Sequence, residues 1–438
     1  MVKELTRKMK DSGIEWIGEI PEDWEIRKLG NISKLYTGNS IKDNEKDNYI
    51  SPINAIPYIA TKDVGFDNKI DYDNGMYIKK DDGKFKRAYR GNTLVCIEGG
   101  SAGRKIAKIE SEEVCFGNKL CCINSNVISN NYLYYYSLSP NFINGFQSRI
   151  TGLIPGVTLL EMAQIEIVVP SKHKQKAIAN FLDKKTQEID NIISKTKKAI
   201  EEYKRYKQSL ITETITKGLD KNVQMKDSEI EWIGKIPEHW DATKLKNVTS
   251  KLTDGAHISP DTNEGKYYFV STVDINNGMI DFNNALKTSK ESYEYMVRTG
   301  CKPNIEDLLM SKDGTIGKMA LVREENNFVV ASSLLIISSN TNSIIEYIYY
   351  YLMSKVGENQ IESYHKGSGL RRISIINTGN ILITVPPLQE QKAIASYLDQ
   401  KCSQIDQIIS TKEKLLTEME AYKKSLIYET VTGKREVE

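Results

Sequence analysis

VPSKHKQKAIANFLDKKTQEIDNIISK, residues 169–195, returns 216 residues later as VPPLQEQKAIASYLDQKCSQIDQIIST, residues 385–411. In the first copy Ile178, Leu182, Ile189, Ile192, Ile193, Thr196, Ile200, Tyr203, Tyr206 and Leu210 recur at three- and four-residue steps. In the second, Ile394, Leu398, Ile405, Ile408, Leu415, Met419, Tyr422 and Leu426 do the same. Lys, Glu and Gln fill the intervals, with no internal Pro or Gly. An apolar stripe of period near 3.5, sustained over about five to six heptads, predicts a long amphipathic helix in each copy. Each helix starts after a proline, Pro170 or Pro387, and stops near Lys217-Gly218 or Thr432-Gly433. Some 45 residues at ~1.5 Å each span about 70 Å. A stripe of that length has to be buried, and its cheapest partner is its own duplicate. A pseudo-twofold arrangement sets the pair antiparallel, as a rigid spacer; a coiled coil serving only dimerisation is the alternative.

A second pair of matching segments precedes the helices at the same offset. Residues 9–34 read MKDSGIEWIGEIPEDWEIRKLGNISK and residues 225–250 read MKDSEIEWIGKIPEHWDATKLKNVTS. All four tryptophans lie in these leads: Trp16, Trp24, Trp232 and Trp240. Pro21 and Pro237 fix an extended turn, and the second Trp of each lead reads as an anchor onto a neighbouring surface, with base stacking as the other use.

The segments between lead and helix differ much more than the flanks and read as mixed α+β. Strands are expected at Pro57–Ala60, Thr93–Ile97 and Lys119–Asn124, and again at Tyr267–Val270, Asp307–Ser311 and Ser333–Ile337. Tyr132-Leu-Tyr-Tyr-Tyr and Tyr347-Ile-Tyr-Tyr-Tyr each fit a helix packed on the sheet, with base stacking as the alternative. The expected fold is therefore α+β: two mixed α/β domains, 9–168 and 225–384, separated by an antiparallel pair of long coiled-coil helices, 169–217 and 385–433, in a pseudo-twofold internal duplication.

Composition narrows the class. The 438 residues are 39% hydrophobic and 27% charged, which fits more than one soluble domain. No apolar run reaches the ~18 residues of a membrane span, and the first residues lack a signal-peptide core, so the expected location is the cytoplasm. The six cysteines have no CxxC or paired spacing. They read as reduced structural thiols, with a redox or metal role as the alternative, and the four histidines are not spaced as ligands. Net charge is only +2, yet between Lys79 and Lys108 nine Lys/Arg face three acidic residues, a distribution that suits phosphate contact or a solvated surface.

Two glycine loops with a basic end, Gly100-Ser-Ala-Gly-Arg104-Lys105 and Gly314-Thr-Ile-Gly-Lys318, could approach a phosphate or simply turn a hairpin. Before the long helices stand Arg149-Ile-Thr-Gly and His365-Lys366-Gly-Ser-Gly-Leu-Arg371-Arg372. A guanidinium there could meet a phosphate or bond O6 and N7 of guanine, with a basic surface loop that holds no ligand as the alternative. The candidate DNA contacts are Lys62, Arg87, Arg90, Arg104, Lys105 and Arg149 in the first domain, and His257, Lys312, Lys318, Lys366, Arg371 and Arg372 in the second. No catalytic site emerges. The only Pro-Pro, Pro386-Pro387, sits at a helix start rather than in a methyltransferase Asn/Asp-Pro-Pro-aromatic loop. There is no phosphate-binding loop of the Gly-x4-Gly-Lys-Ser/Thr form. Pro260-Asp261 followed by Glu264-Gly-Lys266 is too tightly spaced for a metal-dependent nuclease.

The leads (IEWIGEIPEDW, IEWIGKIPEHW) and helix starts (VPPLQEQKAIASYLD, and the looser VPSKHKQKAIANFLD) resemble those of the specificity subunits of type I restriction-modification enzymes, in the same order over residues ~9–434. One departure is Lys172-His173-Lys174 where the second copy has Leu388-Gln389-Glu390. The resemblance implies that the two domains are target-recognition domains, each reading one half of a split, asymmetric DNA site. It also implies that the helices set the half-site separation and dock two methyltransferase subunits, which motor-nuclease subunits join. S-adenosylmethionine, ATP and Mg²⁺ would be bound by those partners and no cofactor by this chain, which would have no catalytic role. A free-standing DNA-modifying or cleaving enzyme and a coiled-coil scaffold are the competing readings.

Overall fold

A computed structural model describes residues 7–262, 265–276, 278–364 and 372–437. It divides into two compact units, Met1–Lys197 with Lys414–Glu438, and Lys198–Glu413. The packing thus groups residues differently from the sequence segments, because each unit takes part of both long helices.

The helices run over Lys172–Lys217 and Leu388–Val431. In the first unit Asp190 pairs with Lys423 at 2.7 Å, and Lys197 further along pairs with the earlier Glu420 at 3.6 Å. The two helices therefore run in opposite directions. In the second unit Lys207 pairs with Asp406 at 2.6 Å, while the earlier Tyr203 lies under the later Lys412, 5.8 Å from its ring centre. The ends of the stripes are buried as their spacing requires: Ile178, Leu182 and Ile189 share a core with Leu426 and Ile427, and Ile211 and Ile215 share one with Ile394 and Leu398, whereas Ile192, Tyr206, Ile408, Leu415 and Tyr422 of the same stripes stay exposed. The expected α+β class, the duplication and the antiparallel pairing of the helices are all present.

Each long helix is entered from a two-stranded ladder, Glu25–Lys28 with Glu166–Val169 in the first unit and Asp241–Lys244 with Leu382–Val385 in the second. One glutamine fixes each entry. Gln175 donates to Pro170 O (2.8 Å) and accepts from Ser129 N (2.8 Å); Gln391 donates to Pro386 O (2.8 Å) and accepts from Ile344 N (3.1 Å). Both amides are almost fully buried, so their hydrogen bonds must be internal.

In the first unit an antiparallel sheet has the strand order Lys34–Thr37, Leu120–Asn124, Thr93–Cys96, Ile106–Lys108. A second sheet is ordered Tyr77–Lys79, Ala55–Ile59, Glu113–Phe116, Arg87–Tyr89, with Ala55–Ile59 and Glu113–Phe116 parallel. The second unit repeats this scheme. Thr249–Asp254, Leu334–Ser339, Leu308–Ser311 and Met319–Leu321 form one sheet, and Leu286–Thr288, Tyr267–Val270 and Phe328–Val330 form the other. Strand alternation sends Cys121 into the core with Tyr132 and Phe146, and Cys122 to the opposite face with Leu94 and Phe116. All six cysteines are free and buried, and burial pushes the thiols of Cys115 and Cys122 up to about 11 and about 12. Among the described residues no helix is long and apolar enough to cross a membrane.

The tyrosine segments are helices, Asn130–Leu138 and Ile345–Met353, and their hydroxyls tie each sheet to the long helices. Tyr132 donates to Val168 O and Val431 O (2.7 and 3.1 Å), and Tyr135 to Asp183 (2.6 Å). Tyr347 shares a hydrogen bond with Thr384 (2.7 Å), and Tyr350 donates to Asp399 (2.7 Å). A buried tyrosine with its hydroxyl satisfied is a packing element.

Trp24 and Trp240 are buried, whereas Trp232 is half exposed. Each buried indole lies under the end of a long helix. Gly218, in the left-handed region at φ 75°, would place a Cβ 3.1 Å from Trp240, and Gly433, at φ 74°, would place one 3.1 Å from Trp24 and 2.4 Å from Pro21. Only glycine combines that φ with so close an approach. The motif departure has a structural counterpart here. Glu390 accepts from Trp240 Nε1 at 3.1 Å and stands 2.9 Å from His239. Lys174 occupies the matching place, where it donates to Val437 O (2.8 Å), and Trp24 Nε1 has no partner among the described residues.

Candidate nucleic-acid interface

In the first unit the chain leaves the strand Ala55–Ile59 into a helical turn, Thr61–Asp63, held by the buried Asp63 carboxylate accepting from Ala60 N at 2.8 Å. Burial pushes that carboxyl up, against the backbone hydrogen bond. The turn presents Lys62 to solvent and offers the Thr61 carbonyl to Lys105 Nζ at 2.9 Å. Lys105 comes from the hairpin joining Thr93–Cys96 to Ile106–Lys108, so the glycine loop is a hairpin turn. Its Gly103, at φ 70°, abuts Phe146, 2.6 Å from where a Cβ would stand. Arg104 and Lys105 both lie over Phe66, at 5.1 and 5.2 Å from its ring centre, and Phe66 is 60% exposed. Phe66, Arg104 and Lys105 thus form one cationic, aromatic surface, with Lys62 exposed on the turn that Lys105 bonds. Such a surface can pair with phosphates and offer a ring face to a base.

The other first-domain candidates lie elsewhere. Arg90 is exposed at the turn after the strand Arg87–Tyr89. Arg87 is half-buried, paired with Glu113 at 3.1 Å and bonded to the Lys80 carbonyl. Arg149 caps the helix Pro140–Gln147, donating to Gly145 O at 2.8 Å and to Gln164 O at 3.2 Å, with Glu166 at 3.8 Å. Backbone carbonyls of this unit therefore engage its guanidinium.

In the second unit Lys312 is 2% exposed and paired with Asp254, whose carboxylate also meets His257 at 3.0 Å. Lys312 is thus a buried structural cation rather than the surface contact expected, and His257 is the exposed member of the group. Arg372 Nε pairs with Asp313 at 3.2 Å, and Ile373 N donates to Lys312 O at 2.9 Å, which brings Arg372 beside this cluster. Lys318 is half-buried at the end of the hairpin between Leu308–Ser311 and Met319–Leu321, its amide donating to Ser311 Oγ at 2.9 Å. Lys366 and Arg371 lie outside the described residues, as does Glu264 of the nuclease-like spacing. Among the described residues no group of three or more His, Cys, Asp or Glu could hold a metal ion.

Burial pushes the Asp254 carboxyl up, but the hydrogen bond and charge of Lys312, with His257 behind them, outweigh it and hold the group below the usual range. A depressed folded-state pKa contributes stability that is full above the unfolded value of ~3.9 and is lost as pH falls through the folded one. Lys312→Met should lower stability near neutral pH by about 3 kcal/mol, because it strands a shielded carboxylate. Thermal melts from pH 7 to pH 2 should show the gap to the parent narrowing as pH falls, from above the usual carboxylate range, where the variant's shielded Asp254, without Lys312, takes up its proton, until the parent's own carboxyl is protonated. A gap that stays constant with pH would mean the pair contributes nothing beyond packing.

Two copies of one mixed α/β module, each on a shared framework of antiparallel helices, define a duplicated recognition protein. The chain belongs to the family of the type I restriction modification DNA specificity domain, whose model matches residues 21–202 and 237–420. It is 26% identical to the type I restriction enzyme MjaVIII specificity subunit of Methanocaldococcus jannaschii, over 95% of this chain and 93% of that one. It is 21% identical to the EcoBI specificity subunit of Escherichia coli, over 98% and 90%. In fold it is similar to a chain from a solved type I R-M system (TM-score 0.71, 14% identity, 95% of this chain and 99% of that one). It also resembles the HsdS subunit from Thermoanaerobacter tengcongensis (TM-score 0.51, 15% identity, 95% and 98%).

Phe66 was missed by sequence reasoning. Its signal was a Gly65-Phe66 pair after Ala60-Thr-Lys-Asp63, a turn that returns as Ser271-Thr-Val-Asp274 with Asp274 again buried and accepting from Ser271 N at 2.7 Å.

Proposed function

We propose that each module reads one half of a bipartite, asymmetric site in double-stranded DNA, and that the long helices fix the half-site spacing and dock two methyltransferase subunits. The observation that carries this reading is the contrast within one chain. Gln175 and Gln391, Trp24 and Trp240, and Tyr135 and Tyr350 keep the same places, while the exposed turns of the two modules carry different side chains. A constant framework with divergent turns suits two related readers of different sequences. Leu415 and Tyr422 in the first unit, and Tyr206 and Ile408 in the second, are 37–57% exposed on the long helices and offer apolar contact to such partners. In this reading the chain has no catalytic role and works in the cytoplasm, and the methyl donor, ATP and Mg²⁺ belong to the methyltransferase and motor-nuclease subunits.

Replacing residues 25–168 with the matching segment of another specificity subunit should replace one half of the methylated sequence and leave the other intact. Sequencing of methylated adenines in cells carrying the hybrid checks this. If the site followed the helices instead of the exchanged segment, the modular reading would be wrong. Methylation or cleavage of DNA by the purified chain alone, with Mg²⁺ and methyl donor, would favour a free-standing enzyme.

A further inference from the structure

Leu153 is fully exposed and Ile154 is 66% exposed, side by side at the tip of the loop that follows Arg149. A single exposed leucine is ordinary, but two adjacent apolar side chains held out on a fixed loop are not. The loop is anchored at its base. Gly99 N donates to Pro155 O (2.8 Å), Val157 N to Ile97 O (2.9 Å) and Thr151 N to Gly156 O (3.1 Å). Gly156 packs against the Ile97 carbonyl, 3.3 Å from where a Cβ would stand, and Gly152 turns the chain at φ 90°. Gly99 begins the hairpin turn whose other limb carries Arg104 and Lys105 over Phe66. Glu98, at the loop base, is paired with Lys119 at 3.1 Å.

We propose that Leu153 and Ile154 form an apolar wedge that the first module presses into a base step of its half-site while the adjoining cations hold the phosphates. The inference rests on the DNA-reading function above and goes beyond it by assigning these two residues. Its physical basis is that the base of this loop is bonded to Ile97 and Gly99, at the start of the hairpin whose other limb carries the cations. Apolar side chains that part a base step need nearby cations to keep the duplex seated, and the step chosen is the one most easily unstacked. Selection would therefore include a step that no hydrogen bond reads.

The test uses the subunit assembled with its methyltransferase partners, and duplexes carrying the sequence it methylates. The variant Leu153→Ser with Ile154→Ser lies at a solvent tip and should melt with the parent. It should bind the cognate duplex at least about tenfold more weakly while binding unrelated duplex equally, with the same salt dependence. Arg104→Ala with Lys105→Ala should instead weaken both duplexes and reduce the salt slope by about two. With 2-aminopurine walked through the half-site, the parent should raise fluorescence at one step and the tip variant at none. A mismatch at that step should tighten the parent and leave the tip variant unchanged. Equal cognate affinity, no responsive step, or a defect confined to assembly with the methyltransferase subunits would overturn the wedge. Failure of the segment exchange would instead overturn the DNA-reading function itself.

Discussion

Four residues added to each long helix, after Lys197 and after Glu413, are expected to lengthen the gap between the two half-sites without altering either half. These are the positions at which the chain passes from one compact unit to the other. Four helical residues add about 6 Å and turn the helix about 40° beyond a full circle. Duplex DNA rises ~3.4 Å per base pair and turns about 35°, so the gap should grow by about one to two base pairs. Adding to both helices keeps the pairings on either side in step, Asp190 with Lys423 and Lys207 with Asp406. A four-residue insertion is also the stutter that paired helices tolerate. Methylated-adenine sequencing of the variant reads the gap directly. An unchanged gap, or altered half-sites, would separate spacing from helix length.

The second large effect concerns the segment that covers Trp24. Deleting the chain from residue 432 onward removes Gly433 from the face of Trp24, Lys434 from the Ile17 carbonyl (3.2 Å), the Arg435–Glu429 pair (2.8 Å) and the buried Val437 that accepts from Lys174. Uncovering an indole and losing a buried valine should together cost about 3 kcal/mol or more. The loss should fall on the first unit only. The counterpart in the second unit, Gly218 over Trp240, is untouched and serves as an internal control. Thermal melts followed by tryptophan emission should show an early transition with a red shift, abolished by Trp24→Phe and insensitive to Trp240→Phe. A single unshifted transition would mean the segment is dispensable.

The framework was legible in the sequence because it occurs twice. The 216-residue repeat exposed the helices, their glycine stops and the anchoring tryptophans, and the three- and four-residue spacing of the tyrosines marked them as core. Side-chain roles in the turns were less legible, because they depend on which neighbours the folded backbone presents to each side chain. Arg149 is occupied by carbonyls of Gly145 and Gln164, and Lys312 is claimed by Asp254, 58 residues earlier. Local composition registers only that each is basic. The Leu153–Ile154 tip was invisible, and Phe66 was marked only by its place after a turn, for the converse reason: an apolar residue in a sequence looks like core until packing leaves it outside. The Lys174 departure became interpretable only once Glu390 was seen to accept from Trp240.

That one chain reads two unlike half-sites is tested most directly by mapping methylated adenines in cells carrying the locus and in cells from which it is deleted. The expected result is a locus-dependent motif of two different short sequences separated by a fixed run of unread bases, with one methylated adenine in each. A continuous or palindromic motif, or no locus-dependent methylation in the presence of its methyltransferase subunits, would contradict it.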